Sequence, residues 1–168
     1  MAKPKIYIDG QEGTTGLRIF ERFAGRDDIE ILTIDPALRK DADERKKLIN
    51  ASDITFLCLP DAAAKEAVSL VDSDHVRIID ASTAHRTADG WAYGFPELSK
   101  EHFEKIAASK RIAVPGCHAT GFMSVVYPLI FVTYKSAQNF SCCVFTLIFP
   151  VIISPVFKPN RRICDGAT

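Results

Sequence analysis

A chain of 168 residues, 47% hydrophobic and 25% charged, has material for one sizeable core and hardly for two. Its 21 basic and 21 acidic residues cancel, which excludes the strongly cationic balance that nucleic acid or an anionic membrane surface would attract. The neutrality conceals an asymmetry, since residues 131–168 carry Lys135, Lys158, Arg161 and Arg162 against Asp165, a net of +3, leaving −3 for residues 1–130.

Met1-Ala2-Lys3-Pro4 leads straight into an apolar strand pattern, without the long apolar region and small-residue cleavage site of a secretory signal, so a cytoplasmic location is expected. Apolar or β-branched runs recur at Lys5–Ile8, Ile29–Ile34, Ile54–Leu59, Val76–Ile79 and Arg111–Val114. Most intervals between them read as helices, and that alternation predicts an α/β fold with a doubly wound parallel sheet. Ile54–Leu59 is apolar at almost every position, as a central strand covered on both faces would be.

Leu17, Phe20 and Ala24 follow helical spacing, Ile19 and Phe23 widen the stripe, and Gly25 is placed to end the helix. Pro60-Asp61 reads as a strand exit followed by the N-cap of a helix over Ala62–Val71. Ser99 is expected to cap a helix over Lys100–Ser109, and Phe122–Leu129 reads as an apolar helix. After Leu129 charge nearly vanishes, and Cys142–Phe149 is followed by Pro150, Pro155 and Pro159. The βα rhythm stops there. The run Phe140–Phe157 is at the short end of the roughly 17–25 residues a membrane helix needs and is interrupted by prolines, so no span is expected. An uncharged segment of high β propensity instead predicts a poorly packed, aggregation-prone appendage over residues 131–168.

Three constellations carry chemistry. Asp9-Gly10-Gln11-Glu12-Gly13-Thr14-Thr15-Gly16 falls between the first strand and the first helix, where glycines let the backbone approach a phosphate and the helix N-terminus offers free N–H groups. The G-x-x-G-x-x-G spacing differs from the usual dinucleotide fingerprint, but its strand–turn–helix context favours dinucleotide binding over an ordinary tight turn. Asp35, at the end of the second strand, suits the ribose hydroxyls of NAD, whereas Arg39 and Lys40 suit a 2′-phosphate. Cofactor choice stays open on these residues alone.

Val114-Pro115-Gly116-Cys117-His118-Ala119-Thr120-Gly121 sets a cysteine where a strand meets a helix. A helix N-terminus stabilises thiolate, the reactive form, so Cys117 suits a nucleophile better than a packed turn residue. The other cysteines, Cys58, Cys142, Cys143 and Cys164, form no C-x-x-C pair and have no histidines at zinc spacing, so neither a disulfide framework nor a metal site is indicated. Cys58 reads as inert core within its strand. Asp80-Ala81-Ser82-Thr83-Ala84-His85-Arg86 and Tyr93-Gly94-Phe95-Pro96-Glu97-Leu98 leave the carboxyl ends of neighbouring strands, the edge where open α/β sheets bind ligands.

Taken in order, G-Q-E-G-T-T-G, D-A-S-T-A-H-R, Y-G-F-P-E-L and P-G-C-H-A-T-G resemble the shorter subfamily of N-acetyl-gamma-glutamyl-phosphate reductase, collinearly over residues 3–129. The resemblance implies a Rossmann-like domain, NADP as cofactor, a small-molecule substrate, and a phosphorylating semialdehyde dehydrogenase of arginine biosynthesis. Carried over by motif, Cys117 would form a thioester with the acyl group. Gly10, Gly13, Thr14, Thr15 and Gly16 would face the cofactor phosphates. Ser82, His85 and Arg86 would lie beside the substrate, and His118 would have a structural or substrate-lining role. Family enzymes continue into an α+β domain that supplies a catalytic histidine, basic substrate-binding residues and the homo-oligomer interface. From Phe131 onward nothing matches, and residues 131–168 read as an altered frame or a divergent terminal exon. The resemblance therefore also implies low turnover by this chain alone, general acid–base help being worth about 10²–10⁴-fold. Two other readings remain: a non-catalytic dinucleotide-binding module, and a fragment that pairs with another chain through its apolar tail.

Overall fold

The computed structural model describes residues 3–137, and the expectations for the apolar run Cys142–Phe149 and for Cys142, Cys143 and Cys164 lie outside the described residues. The chain divides into two units, Met1–Thr120 and Gly121–Thr168. The first holds a six-stranded sheet made of β1 (Lys5–Asp9), β2 (Glu30–Leu32), β3 (Ile54–Leu57), β4 (Arg77–Asp80), β5 (Ala92–Tyr93) and β6 (Arg111–Ala113). Their order is β2-β1-β3-β4-β6-β5, and every pairing is parallel. The expected sheet is present, with β3 in its interior.

Register explains how the faces divide, because paired residues of a parallel sheet project to the same side. Ile6↔Ile54↔Arg77 and Ile8↔Phe56↔Ile79 lie on one face, while Tyr7↔Thr55↔Ile78 and Asp9↔Leu57↔Asp80 lie on the other. The chain runs from β1 outward to β2 and then back past β1 to β3. Right-handed crossovers in opposite directions place their helices on opposite faces. Accordingly α1 (Thr14–Phe23) sets Phe23 against Phe56, with ring centroids 5.8 Å apart. On the other side α2 (Ala42–Ala51) and α3 (Asp61–Ser69) bury Ile49, Ala64 and Ala67 against Tyr7, Leu57, Val76 and Ile78. Each large apolar side chain so buried contributes about 1.5–3 kcal/mol.

Several expected boundaries move. β2 stops at Leu32, so Asp35 lies in the following turn rather than at the strand end; its Oδ1 accepts from the Ala37 N–H at 2.8 Å. Helix α3 begins at Asp61 with Pro60 as its cap, because the Asp61 carboxylate is engaged by Thr83. Cys58 lies just past β3, half-buried. Ser99 does cap α4 (Lys100–Ala108), its Oγ accepting from His102 N–H at 3.2 Å. Helix α5 runs from Cys117 to Ala137 and so starts five residues before the expected Phe122 and passes beyond Leu129. No helix among the described residues is long and apolar enough to cross a membrane.

Candidate functional site

The strand order places a topological switch between β1 and β3, whose connections leave in opposite directions, and the crevice outside the carboxyl ends there is where doubly wound sheets take ligands. Gly10 follows β1 at φ +85°, and a Cβ there would stand 2.4 Å from the Cys58 carbonyl oxygen. A Cβ on Gly16 would stand 2.3 Å from the Gly10 oxygen. Only glycine permits this turn, which brings backbone to the mouth of the crevice. Helix α1 starts with Gly13 as its N-cap and no side-chain cap, so its first N–H groups are left for another acceptor. Thr14 and Thr15 are exposed on that first turn.

Two cavities flank the turn. One of about 280 Å³ is lined by Gly13, Thr14, Thr15, Cys58, Leu59 and Ala81. The other, of about 530 Å³, runs from Gly10–Gly13 to Thr33, Ile34, Pro36, Arg39 and Lys40. Backbone N–H groups at a helix start and a cleft on either side fit the pyrophosphate and two nucleoside ends of a dinucleotide. Asp35 lines neither cavity.

Beneath the turn is a buried ionic network that sequence reasoning did not single out. Asp9 Oδ2 accepts from Arg45 Nε at 3.1 Å and Nη2 at 2.9 Å, and Arg45 Nη1 reaches Glu66 at 3.3 Å. Burial holds the Asp9 carboxyl above the usual carboxylate range despite the guanidinium beside it. Burial and then the Asp9 charge raise the Tyr7 phenol, whose hydroxyl lacks a hydrogen-bond partner. Arg45 was hidden in Asp41-Ala42-Asp43-Glu44-Arg45-Lys46-Lys47, which reads as a solvated helix face. Only its position on the inward side of α2 distinguishes it.

The second half of the edge is built on Asp80, the last residue of β4, which is 0% exposed. Its carboxylate accepts from Ser82 N–H at 2.9 Å, Ser82 Oγ at 2.7 Å and His85 Nδ1 at 2.6 Å. A carboxylate can only accept, so Nδ1 carries the proton and Nε2 is left for a partner. Trp91 stacks on the imidazole, centroids 4.1 Å apart and planes 12° from parallel. Thr83 joins this loop to α3 through Asp61.

Arg86 joins the same loop to the turn before Cys117, donating from Nε to Val114 O at 3.0 Å. Its Nη1 lies 2.9 Å from where a Gly116 Cβ would stand, so the missing side chain lets the guanidinium lie against the residue before Cys117. Cys117 is the first residue of α5 and exposed, with Sγ 3.7 Å from His118 Nδ1. Because β1 and β6 are both parallel members of one sheet, Gly10–Thr15 and Cys117 lie at the same edge. Cys58 faces the opposite circumstance: burial, then the Asp9 and Asp80 charges, push its thiol up to about 11.

The structure thus groups Gly10, Gly13, Thr14, Thr15 and Arg39 around two adjoining cavities, and Ser82 and His85 around Asp80. It sets Arg86 beside the turn that carries Cys117 and His118.

Sequence and fold comparisons agree with this architecture. Residues 29–106 match the family model for the semialdehyde dehydrogenase NAD binding domain. The fold resembles crystal structures of aspartate semialdehyde dehydrogenase II from Vibrio cholerae, free and complexed with ASA. Their TM-scores are 0.55 and 0.54 at 14% identity, covering 78% and 76% of this chain and 43% and 46% of those. The class is therefore the nicotinamide-dinucleotide-binding domain of a semialdehyde dehydrogenase.

Over 130 residues the chain is 59% identical to N-acetyl-gamma-glutamyl-phosphate reductase 2 of Nostoc sp. and 60% identical to N-acetyl-gamma-glutamyl-phosphate reductase of Trichormus variabilis. It is 50% identical to N-acetyl-gamma-glutamyl-phosphate reductase 2 of Pseudomonas putida. These alignments cover 77% of this chain and 40%, 40% and 42% of the relatives. The chain is thus similar to the N-terminal part of N-acetyl-gamma-glutamyl-phosphate reductases and spans about two fifths of the length of these relatives.

Proposed function

We propose that this chain is the cofactor-binding and nucleophile-bearing part of an NADP-dependent N-acetyl-gamma-glutamyl-phosphate reductase, and that residues 1–130 carry that role. The observation that carries the reading is Cys117 at the first position of α5, on the sheet edge that also holds the glycine turn. In this reaction Cys117 Sγ attacks the acyl phosphate, the carbon–sulfur bond forms, and inorganic phosphate leaves. The N–H groups at the start of α5 and the Arg86 charge favour the thiolate and the departing anion. His118, 3.7 Å from Sγ, is in range to hold the thiol proton. A thioester carbonyl accepts hydride more readily than a carboxylate, which is why a covalent step precedes reduction. A nicotinamide held at this edge would supply that hydride, and collapse of the thiohemiacetal on Cys117 would release N-acetyl-glutamate 5-semialdehyde and the cysteine thiolate.

Gly10, Gly13, Thr14, Thr15 and Gly16 are assigned to the pyrophosphate, and Arg39 with Lys40 to the 2′-phosphate. Asp35 is given no such contact, since it spends its Oδ1 on a local turn outside both cavities. His85 offers Nε2 to substrate. Ser82 serves by ordering the loop, because its hydroxyl donates to Asp80 and accepts from Ala84 N–H at 3.1 Å. Incubation with N-acetyl-glutamyl phosphate in the absence of reduced cofactor should add one acyl group to Cys117, read by mass spectrometry, and none to Cys117→Ser. Acylation elsewhere, or none while NADPH still binds, would leave a dinucleotide-binding module without the covalent step.

A further inference from the structure

The geometry points to Glu12 as a specificity residue that competes with the cofactor's 2′-phosphate for Arg39. This rests on the reading that the larger cavity takes the adenosine end of a dinucleotide. Glu12 belongs to the glycine turn and Arg39 to the turn after β2, and both line that cavity of about 530 Å³. Their side chains form an ion pair across it, Arg39 Nη1 to Glu12 Oε2. The guanidinium that suits a 2′-phosphate is thus already neutralised by a carboxylate of the same chain.

A phosphate arriving at Arg39 must displace that carboxylate or share the guanidinium with it. Displacement costs the ion pair. Sharing brings two anions together, which disfavours the phosphate. Neither cost falls on a cofactor with free ribose hydroxyls, so Glu12 narrows the preference for the phosphorylated cofactor without touching the pyrophosphate. Both side chains are about half exposed, at 48% for Arg39 and 63% for Glu12, which sets the scale. An exposed pair is worth about two- to fivefold in an equilibrium constant. Lys40, on the same wall, supplies a second charge that Glu12 does not cancel.

The test is the ratio of dissociation constants for NADH and NADPH, measured by fluorescence titration on the full chain. Glu12→Gln should raise the ratio in favour of NADPH about two- to fivefold, and Glu12→Lys further. Arg39→Gln should lower it about tenfold. In the Arg39→Gln background the effect of Glu12→Gln should shrink, since competition for the guanidinium is gone and only direct repulsion of the phosphate remains. An unchanged or lowered ratio in Glu12→Gln overturns the inference, as does an effect undiminished without Arg39. Absence of binding for both dinucleotides, in wild type and variants with native circular dichroism, would instead remove the cofactor assignment itself and the inference with it.

Discussion

Two buried aspartates end neighbouring regions of this sheet on the same face, in register across Leu57, and the protein neutralises them in different ways. Asp9 is matched by the guanidinium of Arg45, a group that stays charged at any ordinary pH. Asp80 is matched by a serine hydroxyl, a backbone N–H and the imidazole of His85, whose remaining nitrogen is left for another partner. The first arrangement fixes backbone, since it lies under the glycine turn. The second ties the Ser82 and His85 side chains to the end of β4. The same residue type at equivalent strand ends therefore anchors a glycine turn in one half of the edge and a loop of polar side chains in the other.

The strongest way to break the comparison is to remove the permanent charge. Arg45→Met should destabilise the domain by about 3–5 kcal/mol near neutral pH, because it strands a buried carboxylate. The pH dependence has a definite sign. Asp9 is already raised in the folded state, so its contribution is most favourable below the unfolded value near 3.8 and is lost as pH rises through the higher folded one. Removing Arg45 deletes the contributions that pull Asp9 down and extends that loss to higher pH. Urea midpoints should therefore differ most from wild type at neutral pH and converge toward acid. Asp9→Asn added to Arg45→Met should recover part of the stability. Equal destabilisation at both pH values would mean Asp9 is not the group left unpaired.

The cysteines sharpen the same contrast. Cys58 stands on the foundation side with its carbonyl against Gly10, and burial, then the Asp9 and Asp80 charges, push its thiol up to about 11, away from the reactive thiolate. Cys117 is exposed at a helix start. Alkylation followed residue by residue should label Cys117 in the native protein and reach Cys58 only on unfolding. Comparable native labelling of the two would undo the division into inert and reactive edges.

A smaller effect is expected from Asp80→Asn, which keeps the shape but replaces an acceptor by an amide. The loss should be about 1–3 kcal/mol, the cost of disturbing buried hydrogen bonds. The His85 ring should then exchange tautomers, visible in its ¹⁵N shifts, and acylation of Cys117 should slow. Unchanged ¹⁵N shifts would show that Trp91 stacking alone orients the ring.

Much of this was legible in the sequence because it depends on order along the chain. Strand–helix alternation gave the sheet, the glycine spacing gave the turn, and Gly116-Cys117 marked the junction of β6 and α5. What stayed hidden depends on facing. Arg45 and Glu66 look like helix-surface charges until α2 and α3 are seen packed on the face that carries Asp9. Trp91 becomes a partner of His85 only through the loop's return to the sheet. At one boundary a side chain had found a distant partner, as Asp61 did in Thr83.

The smallest expected effect on stability belongs to Gly116→Ala, and it separates foundation from chemistry most finely. A Cβ at Gly10 would meet a backbone carbonyl at 2.4 Å in a left-handed conformation, whereas one at Gly116 would meet the far end of the Arg86 side chain at 2.9 Å. A flexible side chain can withdraw. The cost should stay below about 1 kcal/mol, within the range of ordinary substitutions. Withdrawal, however, moves a positive charge from the residue that precedes Cys117 and strains the Nε bond to Val114. Alkylation of Cys117 should consequently slow severalfold while urea midpoints hardly change, and Arg86→Gln should slow it similarly. If Gly116→Ala leaves the rate untouched while Arg86→Gln lowers it, the guanidinium acts from wherever it rests and the glycine matters only to the turn. If neither variant alters the rate, Arg86 is a brace between loops, and the reactivity of Cys117 comes from its position on α5 alone.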